Sequence, residues 1–71
     1  MTSIKKLRSL GDTIRKIRVA KGLTREKFAI ETGMARSYIY QIEEGTSNPT
    51  IKALIGIATV LEVSVKDLVD F

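Results

Sequence analysis

The sequence contains neither cysteine nor histidine, and these two absences narrow its chemistry. Without cysteine the chain forms no disulfide and offers no thiolate to a metal or a substrate. Without histidine it lacks the most common metal ligand and the usual general base near neutral pH, so Ser37 and Ser47 have no partner that would activate them. We therefore expect a protein that binds instead of catalysing, and one that needs no metal and no cofactor.

Long apolar runs are also missing. No stretch approaches the roughly 18 apolar residues of a membrane span, and the amino terminus mixes Lys5, Lys6 and Arg8 with scattered apolar positions. We therefore expect a cytoplasmic protein without a membrane partner.

The 71 residues, 44% of them apolar, predict one domain over 1–71. A core this small contributes only about 3–5 kcal/mol to the free energy of unfolding, so association with a second subunit would add stability.

Positive charge is concentrated in the amino-terminal part of the chain. The net charge is +4, but residues 1–27 carry nine Lys or Arg against two Asp or Glu, and residues 28–71 carry three against six. Such clustering favours a phosphate backbone or an anionic membrane surface as partner, although a solvated helix face gives the same pattern. The apolar stripe of the basic segment suits a globular core, which we prefer to a membrane-surface helix.

Apolar residues recur at helical spacing in five segments, and no alternating strand pattern occurs. The predicted helices cover about residues 3–21, 25–32, 36–44, 50–61 and 65–70. The predicted inward stripes include Ile4 and Ile51. Gly11 is a point where the first helix would bend or begin, and Gly56 costs the fourth about 1 kcal/mol relative to alanine. The fold class is all-α with five helices.

The ends of these helices carry capping signals. Thr24 and Thr50 are suited to cap the second and fourth helices, and Ser64 with Asp67 resembles a capping box for the fifth. Ala35 stands where a capping side chain is expected before the third helix, which forfeits about 1 kcal/mol. The helices therefore begin where their sequences indicate, with the third the least well capped.

The second and third predicted helices form a helix-turn-helix pattern. Gly33 and Gly45 follow the two helices and are suited to the left-handed conformation that ends a helix. Ile39 and Ile42 recur three apart and face inward. The outward face of the third helix then carries Arg36, Ser37, Tyr40 and Gln41.

A series of short motifs spans residues 10 to 69. They are Leu10-Gly11, Lys21-Gly22-Leu23-Thr24, Phe28-Ala29, Thr32-Gly33, Ile39, Ile42-Glu43-Glu44-Gly45, Asn48-Pro49 and Leu61-Glu62-Val63-Ser64. In order and spacing they resemble the Cro/repressor type of helix-turn-helix domain, the XRE-like family. The stretch Arg36-Ser37-Tyr38-Ile39 is most similar to restriction–modification controller proteins and other short stand-alone regulators.

The resemblance implies a fold and a function. It implies a five-helix lambda-repressor-like domain that binds a double-stranded DNA operator as a homodimer, with the third helix in the major groove. It also implies a bacterial or phage origin and a role in transcription, with no small-molecule effector. By the same resemblance Arg18 and Glu43 form a structural ion pair between the first helix and the end of the third.

Side chains on the third helix predict the contacts to bases. Arg36 offers a planar fork to O6 and N7 of guanine, a contact worth about 1–3 kcal/mol of base discrimination. Gln41 matches adenine, and Tyr40 suits a thymine methyl group or a phosphate. Ser37 suits a base edge or a phosphate. For Arg36 the alternatives are a phosphate contact and a solvated surface arginine.

A second group of residues predicts contacts to the DNA backbone. Family members commonly have glutamine at position 25, where the helix amino terminus favours a phosphate, and Arg25 adds charge there. Tyr38 either lies near the operator or packs against the second helix or the following loop. The predicted backbone contacts are Thr24, Arg25, Tyr38, Thr46, Ser47, Asn48 and Lys52.

Specific reading of DNA by one short helix usually needs a second copy. One recognition helix covers only a few base pairs, so two half-sites about one helical turn apart are expected. Apolar residues beyond the needs of one core predict where the copies meet. These dimer-interface candidates are Ile55, Val65, Val69 and Phe71.

The main alternative function is a protein-interaction module. An antitoxin-like domain would neutralise a partner protein with its helices, and its DNA binding would be secondary. RNA is a poorer partner, because Tyr38 and Tyr40 lie on a helix and not on an exposed sheet.

Overall fold

The computed structural model describes residues 4–69, and over this range the chain forms five α-helices and no strand. Helix α1 spans Ile4–Ala20, α2 Arg25–Thr32, α3 Arg36–Glu44, α4 Ile51–Leu61 and α5 Val65–Leu68. The predicted all-α fold class is confirmed. Residues 3 and 70, at the outer ends of the predicted first and fifth helices, lie outside the described residues. Among the described residues, no helix has the length and apolar character of a membrane span.

Local hydrogen bonds fix where the helices begin. The hydroxyls of Thr24 and Thr50 each accept a backbone N–H from the first turn of the following helix at 3.0 Å. Ser64 and Asp67 form the reciprocal capping box of α5, and the N–H of Ser64 lowers the pKa of the Asp67 carboxyl. Ala35 caps α3 without a side-chain hydrogen bond. The start of α3 is therefore held by packing and not by a cap.

All five helices contribute to one core. The side chains of α3 that face it, Ile39 and Ile42, are each 1% exposed. Helix α3 packs against α1 and α2, while α4 contacts α2 and α5. The largest fully buried side chains are Ile14, Phe28, Ile39, Ile42, Ile57, Leu61 and Leu68. One face of α3 is thus fixed in the core and the opposite face is left to solvent.

Two apolar residues that were assigned to the core are exposed. Ile4 and Ile51 each keep 67% of their surface accessible, so their predicted inward placement is wrong. Each is the first residue of its helix. The apolar stripe therefore extends past the edge of the core, because periodicity gives the direction of a side chain and not the depth of the packing around it.

Gly11 lies at the closest approach between α1 and α3. The expected bend or start there is wrong, since α1 runs without interruption from Ile4 to Ala20. A Cβ atom at position 11 would lie 2.6 Å from the carbonyl oxygen of Glu43 and against that of Ile42. The missing side chain allows the carboxyl-terminal backbone of α3 to rest directly on α1.

We expect alanine at two helical glycines to change stability in opposite directions. Gly11→Ala forces α1 and α3 apart and should lower the free energy of unfolding by about 1–3 kcal/mol. Gly56→Ala places its Cβ 3.5 Å from Met34 Cε, an ordinary contact, and should raise stability by about 0.5–1 kcal/mol. Urea unfolding followed by circular dichroism at one protein concentration measures both. A Gly11→Ala variant as stable as the wild type would contradict the described packing.

Candidate nucleic-acid interface

The exposed face of α3 and the start of α2 border one shallow depression of about 480 Å³. The residues around it are Arg25, Glu26, Arg36, Ser37, Tyr40 and Gln41. All four predicted base-contacting residues are among them. The structure therefore brings these side chains together on one concave surface, next to a residue predicted to contact the DNA backbone.

Beneath this surface lies a buried ion pair. The Glu43 side chain is fully buried, and Arg18 donates to it through Nε at 2.6 Å and through Nη2 at 3.0 Å. Arg18 also donates through Nη1 to the carbonyl oxygen of Leu23 at 2.7 Å. Removing one partner of such a pair leaves an uncompensated buried charge and costs about 3–5 kcal/mol. The pair fixes the end of α3 against α1 and the loop before α2.

Arg25 joins the buried pair to the exposed face. Its Nε donates to Glu43 Oε1 at 3.2 Å, and its guanidinium carbon lies 4.9 Å from the centre of the Tyr40 ring. The side chain remains 39% exposed. The sequence reasoning missed this contact, because Arg25 and Glu43 are 18 residues apart. Arg25 is thus oriented by a carboxylate below it and an aromatic ring beside it.

A second ion pair crosses the helix-turn-helix at the surface. Arg36 donates from Nη1 to Glu26 Oε2 at 2.7 Å, and the two side chains are 69% and 67% exposed. Pairs with this exposure contribute about 0–1 kcal/mol to stability. The contact was not predicted. Its main consequence is for the orientation of the Arg36 side chain, which the hydrogen bond to Glu26 directs toward α2.

The remaining predicted backbone-contact residues lie outside the depression. Tyr38 is half-buried and packs against the core. The Thr46 N–H and hydroxyl both donate to the carbonyl oxygen of Gln41, at 3.0 and 3.2 Å. The others are Thr24, whose hydroxyl caps α2, together with Ser47, Asn48 and Lys52. They flank α3 in the chain on both sides.

The apolar residues predicted for a dimer interface are partly accessible. Ile55 is 53% exposed, and Val65 and Val69 are half-buried. Exposed Ile51 stands one turn before Ile55 in α4 and extends the same face. Phe71 lies outside the described residues. An apolar surface therefore follows α4, and none of its residues borders the depression.

Comparison with known proteins agrees with this architecture. A helix-turn-helix family model (HTH_3) matches residues 14–68. The control protein C.BamHI of Bacillus amyloliquefaciens is 40% identical over 62 residues, which cover 86% of this chain and 76% of that protein. Both the extent of the family match and this identity are sufficient to establish the family.

Two crystal structures extend the comparison to three dimensions. The restriction-modification controller protein C.AhdI from Aeromonas hydrophila matches with a TM-score of 0.87 and 33% identity, covering 90% of this chain and 97% of that one. The biofilm regulator SinR in complex with DNA matches with a TM-score of 0.80 and 37% identity, covering 83% of this chain and 95% of that one. The lambda-repressor-like arrangement of the five helices is therefore confirmed.

These matches also confirm the resemblance noted in the motifs between residues 10 and 69, including the similarity to controller proteins. The relatives are regulators of a family that performs no catalysis, which confirms that the chain is not an enzyme. The chain belongs to the helix-turn-helix (HTH_3, XRE-like) family of transcriptional regulators.

Proposed function

We propose that this protein regulates transcription by binding a specific double-stranded DNA operator with α3 in the major groove. The observation that carries the proposal is the clustering of Arg36, Ser37, Tyr40 and Gln41 around one depression on the exposed face of α3. These side chains supply donors, acceptors and an aromatic edge, which match the groups that base pairs present in the major groove. The relative that was crystallised with DNA has the same fold.

Each of these side chains has a chemical match in the groove. The guanidinium of Arg36 suits guanine O6 and N7, and the Gln41 amide suits adenine N6 and N7. Tyr40 is 50% exposed and presents its ring or hydroxyl to a thymine methyl group or a phosphate. Ser37 donates to a base edge or a phosphate. Tyr38 is half-buried against the core, so we assign the base contact to Tyr40 and keep Tyr38 as a proposed backbone contact.

Phosphate contacts position α3 in the groove. The start of α2, with Thr24 and Arg25, directs backbone N–H groups and a guanidinium toward one phosphate position. The residues that follow α3, from Thr46 to Asn48, and Lys52 in the first turn of α4 supply the contacts on the other side. These contacts fix register and carry no sequence information of their own.

We further propose that two copies bind a palindromic or nearly palindromic operator in the cytoplasm of a bacterium. The exposed pair Ile51 and Ile55, with the half-buried Val65 and Val69, supports a two-fold interface along α4 and α5. Occupation of the operator then represses transcription or, beside a promoter, activates it. Regulation runs through protein concentration and dimerisation, because binding depends on the fraction of dimer.

Selection of bound sequences from a random duplex library tests the central proposal. We expect an inverted repeat, and we expect Arg36→Ala to lose about 1–3 kcal/mol of discrimination at symmetric guanine positions. Arg15→Ala removes the same charge from the exposed face of α1 and serves as the matched control. A folded Arg36→Ala that weakens all duplexes equally would make Arg36 a phosphate contact. No enriched motif from folded wild-type protein would favour the protein-interaction alternative.

Salt dependence tests the phosphate contacts. The logarithm of the association constant should fall linearly with the logarithm of salt concentration, with a slope of about −0.9 for each phosphate contact. Lys52→Ala should make the slope shallower by about 0.9 per subunit without changing base preference. Lys16→Ala, at a side chain on α1 that is 75% exposed, removes an equal charge as the control. Equal slopes for the wild type and Lys52→Ala would remove Lys52 from the interface.

Substitution of the exposed isoleucines tests the dimer. Ile55→Lys buries a charge in the proposed interface and should shift the protein to a monomer at concentrations where the wild type is a dimer. Ile30→Lys changes an isoleucine that is 71% exposed on α2 and should leave the oligomeric state unchanged. Sedimentation equilibrium measures both. A dimer that persists in Ile55→Lys places the interface elsewhere.

A further inference from the structure

Glu26 is the one carboxylate among the six residues that border the depression. It is 67% exposed and belongs to the first turn of α2, where the helix dipole favours a negative charge. A phosphate backbone repels such a charge. The proposed base-reading surface therefore contains a group whose charge opposes DNA binding, and its presence there calls for a role other than the attraction of phosphate.

The hydrogen bond between Glu26 and Arg36 leaves the reading edge of the arginine open. Glu26 accepts from Nη1 of Arg36 at 2.7 Å. Guanidinium has five N–H donors in a fixed plane, so the edge formed by Nε and Nη2 still presents a fork. That fork matches O6 and N7 of guanine. Arg36 can thus be held by the carboxylate and read a guanine at the same time.

The ion pair with Glu26 also lowers the net charge that Arg36 presents to DNA. A free Arg36 would pair with phosphate on any DNA sequence, since phosphate neutralisation does not depend on the bases. Paired with Glu26, the arginine carries little net charge toward a phosphate, while its directional hydrogen bonds to guanine remain available. The pair therefore weakens non-specific binding more than specific binding.

We propose that Glu26 is a specificity-determining positioning residue, which holds Arg36 in the orientation that reads guanine and penalises duplexes that lack that guanine. The inference rests on the proposed DNA-reading function of α3. It assigns to the ion pair between α2 and α3 a role in discrimination between DNA sequences, beyond its small contribution to stability.

Glu31 provides a matched control on the same helix. It lies in the last turn of α2 and borders no part of the depression. Its carboxylate is 4.0 Å from Lys27 Nζ. Glu31→Gln and Glu26→Gln therefore remove one negative charge each from α2, but only the second removes it from beside Arg36.

The test measures Kd for the selected operator and for a scrambled duplex of equal length. We expect Glu26→Gln to tighten binding to the scrambled duplex, to lower the ratio of the two constants about tenfold, and to relax guanine preference at the positions read by Arg36. We expect Glu31→Gln to shift both constants equally. In an Arg36→Ala background, Glu26→Gln should leave the ratio unchanged, because the arginine that it positions is gone.

Two results overturn the inference. One is a ratio in Glu26→Gln that equals the ratio in Glu31→Gln, and the other is an effect that persists undiminished in the Arg36→Ala background. The side chains of Glu26 and Arg36 are both exposed, so circular dichroism should show that their variants are folded. A wild-type protein that selects no motif would refute the proposed function itself. A wild type that selects a motif with an unaltered ratio in Glu26→Gln would refute only the role of Glu26.

Discussion

The buried carboxylate of Glu43 is the constraint on which the helix-turn-helix depends. It accepts hydrogen bonds from Arg18 on α1 and Arg25 on α2, and Arg18 also reaches the carbonyl oxygen of Leu23 in the loop between them. Its partners therefore come from α1 and α2, two helices against which α3 packs. Among the described residues, no buried side-chain nitrogen or oxygen lacks a hydrogen-bond partner. The position of α3 is consequently set by paired charge as well as by apolar packing.

The close approach of α1 and α3 requires a residue without a side chain at position 11. Gly11 removes the Cβ atom that would collide with the carbonyl oxygens of Ile42 and Glu43. The same turn of α3 carries the carboxylate that pairs with Arg18. The small residue and the ion pair therefore act together. A change at either one is expected to alter the face that α3 presents to solvent, without touching a residue of that face.

The local parts of the structure could be predicted from the residues themselves, whereas one long-range contact, the ion pair between Arg18 and Glu43, was predicted only through the resemblance to the helix-turn-helix family. The side-chain caps at Thr24, Thr50 and Ser64 depend on residues only a few positions apart, so a short stretch of sequence predicts them. The same holds for Gly33 and Gly45, which end α2 and α3 in the left-handed conformation. The depths of Ile4 and Ile51 depend on which helices cover them, which periodicity does not reveal. The partners of Arg25 and Arg36 depend on how α2 crosses α3. For the candidate site, helical spacing predicted which side chains share the exposed face of α3, but not the ion pairs that Arg25 and Arg36 form with Glu43 and Glu26.

Two carboxylates of the helix-turn-helix, Glu43 and Glu26, pair with the arginines at and below the depression. Glu43 neutralises part of the charge of Arg18 and Arg25 from below, and Glu26 neutralises Arg36 from the side. Among the residues that border the depression, Arg25 and Arg36 against Glu26 leave one net positive charge. The depression itself therefore adds little to the sequence-independent attraction of DNA, which the proposed phosphate contacts outside it, such as Lys52, supply. Tight binding then requires directional hydrogen bonds to the correct bases, which is the condition for a small domain to distinguish its operator from other DNA.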